Sequence, residues 1–352
     1  MRAHWRLMKL LLRPLNRSLE LAPGRPVLES ALAAHVNLPH SCRGGNCGSC
    51  RARLLSGRID YPRGRTAGLS EAEAAAGYVL LCQAVPLTDL VVEAREIRRA
   101  TDVEVKSLPC RVERLERLAP DVMGVYLRLP AVEDFRFSAG QYLDVLLPGG
   151  RRRSFSIASP PHDAGLIELH VRRVAGGQFT AQVFESLARG ALLRIEGPLG
   201  QFVYREPQDA MGAGPLLLVA GGTGFAPIKA VIEHAIHQAI TRPMVLYWGV
   251  RSLVDLYLPR LPGHWQQQQR DFTFIPVLSD PRPEDHWPGR TGLVHKAVMA
   301  DFTDLSGYQV YACGGPAMIE AARKDFTEQR RLPPEEFFAD SFTYAVQPEA
   351  ST

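Results

Sequence analysis

No run in this 352-residue chain approaches the ~18 consecutive apolar residues of a membrane-spanning helix. The start, MRAHWRLMKLLLRPLNR, has charge followed by leucines, as a secretory leader does. Lys9 and Arg13 interrupt it before a leader's apolar core is complete. An opening β-strand and a cytoplasmic protein are therefore expected. Internal repeats are missing, and low complexity is confined to Gln266–Gln269, which reads as a surface segment. Charge of one sign is also scarce: the formal net charge of +4 is small for this length and gives no sign of a dedicated nucleic-acid surface. The surplus is uneven, because residues 1–100 hold 15 Lys/Arg against 8 Asp/Glu, a difference of +7. It reads either as a solvated basic surface or as charge that offsets an anionic cofactor or forms a docking face. Cysteine is rare too, with Cys42, Cys47, Cys50, Cys82, Cys110 and Cys313 the whole complement. In a long chain without a secretion signal these point away from a disulfide framework. Four of them fall within the first 82 residues, which reads as a metal site.

What is present falls into three textures. The first runs to about residue 99 and has short alternating strands, a helix-like LESALAAH and a cysteine loop. It closes on the charged EAREIRRATDVEVK (Glu93–Lys106), read as a last strand and a linker. The second, to about residue 206, alternates apolar and polar residues in RVERLERL, VYLRL, QYLDVLL, RSFSIAS and LIELHVRRV, punctuated by Gly, Pro and Asp as in an antiparallel barrel. The third opens after REPQDAMGAGP. It sets continuous apolar strands (LLLVA, MVLYWGV, FTFIPVLS, YQVYAC) between helical segments (FAPIKAVIEHAI, VHKAVMA, PAMIEAARKDF), the pattern of a parallel α/β sheet.

The cysteine loop is CRGGNCGSC, with the spacing Cys42-x4-Cys47-x2-Cys50 and thirty-one residues between Cys50 and Cys82. Structural zinc usually takes two short C-x2-C elements on separate knuckles. Three ligands from one loop and a fourth from a distant segment is the spacing of plant-type [2Fe–2S] clusters. Such a cluster is anionic, so the loop must turn backbone N–H groups toward sulfur, and Gly44, Gly45 and Gly48 permit the positive φ values this needs. His40 and Ser41 stand beside the first ligand. A Rieske-type role for His40 is the alternative, set against four filled cysteine positions. VLESALAAHVNLPHSCRGGNCGSC and LLCQAVPLTDLVVE resemble the plant-type ferredoxin fold over residues 7–98. The resemblance implies a β-grasp domain with Cys42, Cys47, Cys50 and Cys82 as cluster ligands. Free plant ferredoxins are acidic and this section is basic, which suits a ferredoxin tethered to its electron source.

In the second texture, Arg153-Ser154-Phe155-Ser156 ends a strand after PGGRR, and Gly176-Gly177-Gln178-Phe179-Thr180 follows at a helix start. An Arg can pair with a diphosphate, an aromatic ring can cover a flavin, and a Ser can bond the flavin N5 edge. A glycine pair before a helix offers bare N–H groups to phosphate. An ordinary strand and an ordinary helix cap are the bland alternatives. Together the two segments resemble the FAD domain of the ferredoxin–NADP reductase superfamily, whose motifs are R-x-Y-S and G-x-x-S/T. The resemblance implies Arg153 on the diphosphate, Phe155 on the flavin, Ser156 near N5, and Gly177, Gln178 and Thr180 on the phosphates. His170, Val171 and Arg172 lie where that family's backbone lines the ribityl chain. FAD is favoured over FMN because the phosphate helix is present. Gly197-Pro198-Leu199-Gly200 resembles the turn beside the nicotinamide; a plain turn is the alternative.

In the third texture, LLLVAGGTGFAPIKAVIEH is a buried strand, a glycine turn and a helix, placing Gly222, Thr223 and Gly224 where backbone approaches a diphosphate. Gly249 and Arg251 end the next strand. Cys313, Gly314, Pro316 and Met318 follow the strand that starts at Tyr308. These match the superfamily's G-x-R and C-G-x-P-x-M elements and imply that Cys313 sits beside the nicotinamide C4. Cys110, without such a context, reads as core. Arg251 could hold a 2′-phosphate, but Asp255 would repel one, so NADH is expected and NADPH is the alternative. FFADSFTYA resembles the closing strand of the family and places Asp340 and Phe342 near the flavin; Phe337, Phe338 and Phe342 read equally as core.

The expected architecture is multidomain, α+β and α/β: a ferredoxin domain over 7–98, an antiparallel FAD barrel over 104–206 and a parallel α/β nicotinamide domain over 212–345. The whole chain resembles the flavin and [2Fe–2S] reductases with an N-terminal ferredoxin domain. These include the reductase components of phenol hydroxylase and methane monooxygenase, and in appearance most of all the CDP-6-deoxyglucoseen reductases. The resemblance implies a hydride from NADH to FAD and single electrons through the cluster to a protein acceptor, either a dehydratase or an oxygenase component. Ser156 and Cys313 would shape the hydride contact. A dedicated electron-transfer or redox-sensing subunit without its own NAD(P)H turnover is the other class; the nicotinamide motifs speak against it.

Overall fold

The structure, a computed structural model, describes residues 7–14, 16–34, 36, 38–66, 68–94, 105–163, 165–205 and 214–342. The boundaries expected at residues 98, 104, 206, 212 and 345 lie outside these, as do most of both connecting segments. The chain divides into two compact units: Met1–Arg98 with Gly315–Glu320 and Ala339–Thr352, and Arg99–Gly314 with Ala321–Phe338.

In the first unit, β1 (Met8–Arg13) and β2 (Arg17–Leu21) form a hairpin, and α1 (Val27–Ala33) follows Pro26. Next come β3 (Arg51–Ser56), β4 (Ile59–Asp60), α2 (Glu71–Ala75), β5 (Tyr78–Leu80), β6 (Val85–Pro86) and β7 (Leu90–Glu93). The main sheet runs β2-β1-β7-β3-β5, with β1 and β7 parallel and the other neighbours antiparallel. This is the β-grasp arrangement. Leu10, Leu12, Leu21, Leu80 and Val92 are wholly buried and pack with Val27, Leu28 and Ala31 of α1. Each such side chain contributes about 1.5–3 kcal/mol. Ser70 starts α2 through a reciprocal capping box with Glu73.

The second unit holds two sheets. β8 (Lys106–Ala119), β9 (Val122–Arg128), β10 (Tyr142–Leu146), β11 (Arg152–Ser156), β12 (Ile167–Arg172) and, after α3 (Gln178–Glu185), β13 (Leu192–Leu199) pair antiparallel in the order β11-β10-β13-β8-β9-β12. A bridge between Ile157 and Leu169 closes the curl into a barrel. The alternating pattern has its physical counterpart here: Leu108, Cys110 and Val112 point inward from β8 while their neighbours face out. Gly197-Pro198-Leu199 continues β13, and the turn comes only at Gly200, whose φ is 86°.

The parallel sheet follows: β14 (Leu216–Gly221), α4 (Phe225–His237), β15 (Met244–Val250), α5 (Leu261–Gln268), β16 (Phe272–Leu278), β17 (Arg290–Thr291), α6 (Val294–Asp301), β18 (Gln309–Gly314), α7 (Pro316–Gln329) and β19 (Phe337–Ser341). The strand order is β17-β16-β15-β14-β18-β19. It runs outward one way from β14 through β16 and the other way through β18, so the order reverses between β14 and β18. The strands read as apolar runs because both faces are covered, and Leu216 to Ala220 are all wholly buried. The glutamine run lies at the surface, and its first three residues end α5, which Trp265 anchors in the core.

Candidate active site

The loop 42–50 contains no helix or strand. Its left-handed positions are Arg43 (φ 52°), Gly45 (φ 80°) and Gly48 (φ 72°), so Arg43 takes the conformation expected of Gly44. The turn brings backbone N–H groups onto sulfur: Cys42 N–H donates to Cys47 Sγ at 3.5 Å, and Cys47 N–H to Cys42 Sγ at 3.4 Å. Gly45 is locked from outside the loop, its carbonyl accepting from Thr66 Oγ1 at 2.6 Å and from Gly68 N–H at 3.0 Å. The four thiols gather two and two, Cys42 with Cys47 and Cys50 with Cys82, whose sulfurs are 3.1 Å apart. In each pair one thiol donates to the other. The bond from Cys42 holds Cys47 down to about 6, and the bond from Cys50 lowers Cys82. Among the described residues no three His, Cys, Asp or Glu side chains converge as a single ion would need. Two thiol pairs are the donor set of a two-iron cluster, and the residues fit it.

His40 is buried, its Nδ1 2.8 Å from the Leu38 carbonyl, and burial pushes it down to about 4. Ser41 donates to Asp340 Oδ1 at 2.8 Å, and Ser49 to the Ala339 carbonyl at 3.2 Å. Asp340 is therefore engaged with the cluster loop, where burial first and the field of Cys47 second push its carboxyl up to about 7. Phe342 follows β19 and is half-buried. Phe337 is core, and Phe338 lies 5.0 Å from Tyr311 between ring centroids.

The barrel brings the two flavin motifs together. Arg151 bonds Gln178, and the rings of Phe155 and Phe179 lie 5.6 Å apart. Ser156 Oγ is buried at the end of β11 without a hydrogen-bond partner, an unmet donor that fits a flavin edge. Arg153 donates to the Arg152 carbonyl. The Gly177 turn opens on a cleft of about 590 Å³ with Gly176, Gln178, Asp121 and Arg173 in its walls. Thr180 is spent locally: its hydroxyl accepts from Val174 N–H and donates to the Gly177 carbonyl, so it shapes the turn itself. A Cβ on Gly177 would lie 2.5 Å from that hydroxyl. Cys110 is core, with burial pushing its thiol up to about 12.

At the switch point, the turn Gly222–Gly224 follows β14 and Cys313–Gly314 ends β18. Open α/β sheets bind ligands at this place. The two ends nearly touch: a Cβ on Gly224 would stand 2.0 Å from the Cys313 carbonyl oxygen. Trp248 Nε1 donates to the Gly222 carbonyl at 2.9 Å and fixes the turn from β15. Thr223 is half-buried; Pro316 and Met318, also half-buried, open α7 directly after the Cys313–Gly315 turn. Gly249 is small for packing, since a Cβ there would meet Val294 at 2.6 Å. Arg251 is exposed, 3.8 Å from Asp255, which Ser252 holds through its N–H and hydroxyl.

A buried network not anticipated from sequence ties β12 to this sheet. Glu168 Oε2 accepts from Lys229 of α4 at 2.9 Å, and Glu168 Oε1 lies 3.0 Å from His170 Nε2. His170 Nδ1 meets the Tyr257 hydroxyl at 2.9 Å. Burial alone would raise the Glu168 carboxyl, but His170 and Lys229 together bring it to about 2. The signals were present in sequence: Glu168 and His170 share a strand face, and Lys229 and Glu233 sit four apart on an otherwise apolar helix. Val171 fills the barrel core.

Residues 11–87 match the 2Fe-2S iron-sulfur cluster binding domain family, 109–204 the oxidoreductase FAD-binding domain family and 218–324 the oxidoreductase NAD-binding domain family. The chain is 38% identical to the CDP-6-deoxy-L-threo-D-glycero-4-hexulose-3-dehydrase reductase of Yersinia pestis, over 90% of this chain and 92% of that one. It is 37% identical to reductase component 2 of a Comamonas terephthalate 1,2-dioxygenase, over 91% and 93%. A crystal structure of an Amycolatopsis cytochrome P450 reductase superposes with a TM-score of 0.76 at 35% identity, covering 96% of this chain and 100% of that one. With its three cofactor domains in this order, the chain belongs to the family of FAD- and [2Fe–2S]-containing NAD(P)H reductases.

Proposed function

We propose that this reductase draws on NADH and delivers single electrons from its cluster to a separate protein, a dehydratase or an oxygenase component. The observation that carries the reading is the gathering of four thiols as two pairs, behind a loop whose N–H groups already point at sulfur. Likeness to the Yersinia dehydrase reductase and the Comamonas dioxygenase reductase supports the two acceptor classes. A bound flavin would supply the chemistry that links two-electron hydride transfer to one-electron delivery.

The chain's own contribution is placement. Ser156 Oγ would meet the flavin edge, Phe155 would cover the ring, and Arg153 with the N–H groups of Gly177 and Gln178 would bind the diphosphate. Gly222, Thr223 and Gly224 would hold the dinucleotide beside Cys313 and Gly314. Cys42, Cys47, Cys50 and Cys82 hold the cluster. NADH is the donor in this reading, because Asp255 already lies against Arg251 and discourages a 2′-phosphate. The three-domain division over 7–98, 104–206 and 212–345 and a cytoplasmic location belong to the same reading. Among the described residues no helix is long and apolar enough to cross a membrane.

An anaerobic titration with NADH, followed by absorbance and EPR, tests the proposal. The flavin band is expected to bleach and a reduced-cluster signal to grow, with NADPH far less effective. Flavin that stays oxidised with both donors overturns the reading.

A further inference from the structure

The residue after the fourth cluster cysteine is Gln83, and its half-buried side chain folds back over the loop that carries the other three. Its Nε2 donates to the Arg43 carbonyl at 2.9 Å and to the Cys82 carbonyl at 3.0 Å, and lies 3.8 Å from Cys82 Sγ. The two carbonyls fix which end of the amide faces inward. A flipped amide would set its oxygen against two acceptors, so the donor end is the one that meets sulfur. The stem is held too: Gln83 Cγ stands 2.8 Å from the point where a Cβ on Gly45 would be, so it lies on the bare face of that glycine. The Gly45 N–H reaches the same sulfur. Cys42 and Cys47 take their N–H donors from backbone, which substitution cannot change. At Cys82 a side chain joins in, and a side chain can be varied.

Four thiolates make a bound cluster anionic, and an added electron places more charge on sulfur. A donor aimed at a ligand sulfur is therefore worth more after the electron arrives than before, and raises the potential. We infer that Gln83 is a tuning residue: its amide, clamped by the Arg43 and Cys82 carbonyls, presents an N–H to Cys82 Sγ and raises the reduction potential of the cluster. No bond forms or breaks at Gln83. Its effect is to favour the passage of one electron from flavin to cluster at the expense of the driving force left for the acceptor. This rests on the ligand set proposed above and deepens it.

The test is a redox titration of the holoprotein with mediator dyes, followed by the cluster's EPR signal, with iron content measured alongside. Gln83→Met keeps the length of the side chain and removes the N–H donors. At a fixed potential its ratio of reduced to oxidised cluster is expected to fall about fivefold, the weight of one ordinary hydrogen bond. At 59 mV per tenfold for one electron this is a shift of about 40 mV downward. Gln83→Lys restores N–H donors and adds a charge, so its potential should equal or exceed the parent's. An unchanged potential in Gln83→Met at full iron content overturns the inference. If Gln83→Met loses its iron, Gln83→Lys decides: iron retained with a potential at or above the parent's upholds tuning, and iron lost or a lower potential reduces Gln83 to a brace and overturns it. A parent protein with no iron and no reduced-cluster signal would instead remove the cluster reading itself.

Discussion

The cluster loop and the turn after β14 are both glycine-bearing backbone cradles for an anion, and they use glycine for different physical reasons. In the loop the reason is chiefly dihedral: Gly45 and Gly48 have φ values of 80° and 72°. In the turn, Gly224 has an ordinary φ of −57°, open to any residue. It must be glycine because the Cys313 carbonyl oxygen occupies the position of its Cβ at 2.0 Å. The first constraint is local and the second comes from a strand distant in sequence. Gly222, with φ 54° and only Arg172 near its Cβ position, belongs with the loop in kind.

Removing a ligand should have the largest effect. Cys82→Ala is expected to abolish the cluster's EPR signal and iron content while NADH still bleaches the flavin, which separates the two cradles by function. Retained cluster signal would mean that Cys82 is not a ligand. Next, Gly224→Ala should slow flavin bleaching by about 100-fold, because backbone must move against backbone and the dinucleotide loses alignment. Gly222→Ala should cost only about 1–2 kcal/mol, the price of one left-handed residue. Equal tolerance of the two alanines in stopped-flow bleaching would collapse the contrast.

The helix that follows the turn carries a buried ion pair, Lys229 of α4 with Glu168 of β12. Glu168 has its pKa depressed from 4.5 to about 2. Its contribution is complete above pH 4.5 and is lost as pH falls toward 2, and the shift corresponds to about 3 kcal/mol at most. Urea midpoints between pH 6 and 3 should fall more steeply for the parent than for Glu168→Gln; parallel slopes would remove Glu168 as the cause. Gly45→Ala is expected to cost at least as much as Gly222→Ala, about 1–2 kcal/mol in thermal melts. A dihedral constraint is not relieved by Thr66→Ala in the same chain, although Thr66 Oγ1 would stand 2.3 Å from the new methyl. Full rescue would show that the loop glycine, like Gly224, is limited by contact.

Signals that depend on near neighbours were legible. Apolar periodicity marked α4 and the barrel strands, and unbroken apolar runs marked the parallel sheet. The 42–47–50 spacing with Cys82 announced the cluster, since a loop that closes on one group needs its donors close together. Arg43 taking the left-handed turn in place of Gly44 was not legible, because the choice depends on how Thr66 and Gly68 hold Gly45. Nor was the use of the Thr180 hydroxyl within its own turn, which two neighbouring backbone groups capture.

Sequence by itself marked an antiparallel barrel, a parallel α/β sheet and a four-cysteine cluster loop, while the flavin and nicotinamide sites came from motifs that resemble a known superfamily. The first three follow from periodicity and spacing, which are properties of short stretches. The tertiary structure decided partners: Cys42 with Cys47 and Cys50 with Cys82, Glu168 with Lys229 and His170, Asp340 with Ser41, and Arg172 beside Gly222. Each of these joins residues through packing that no local pattern encodes. A buried charge or an unmet donor acquires its meaning only when the fold shows what stands opposite it.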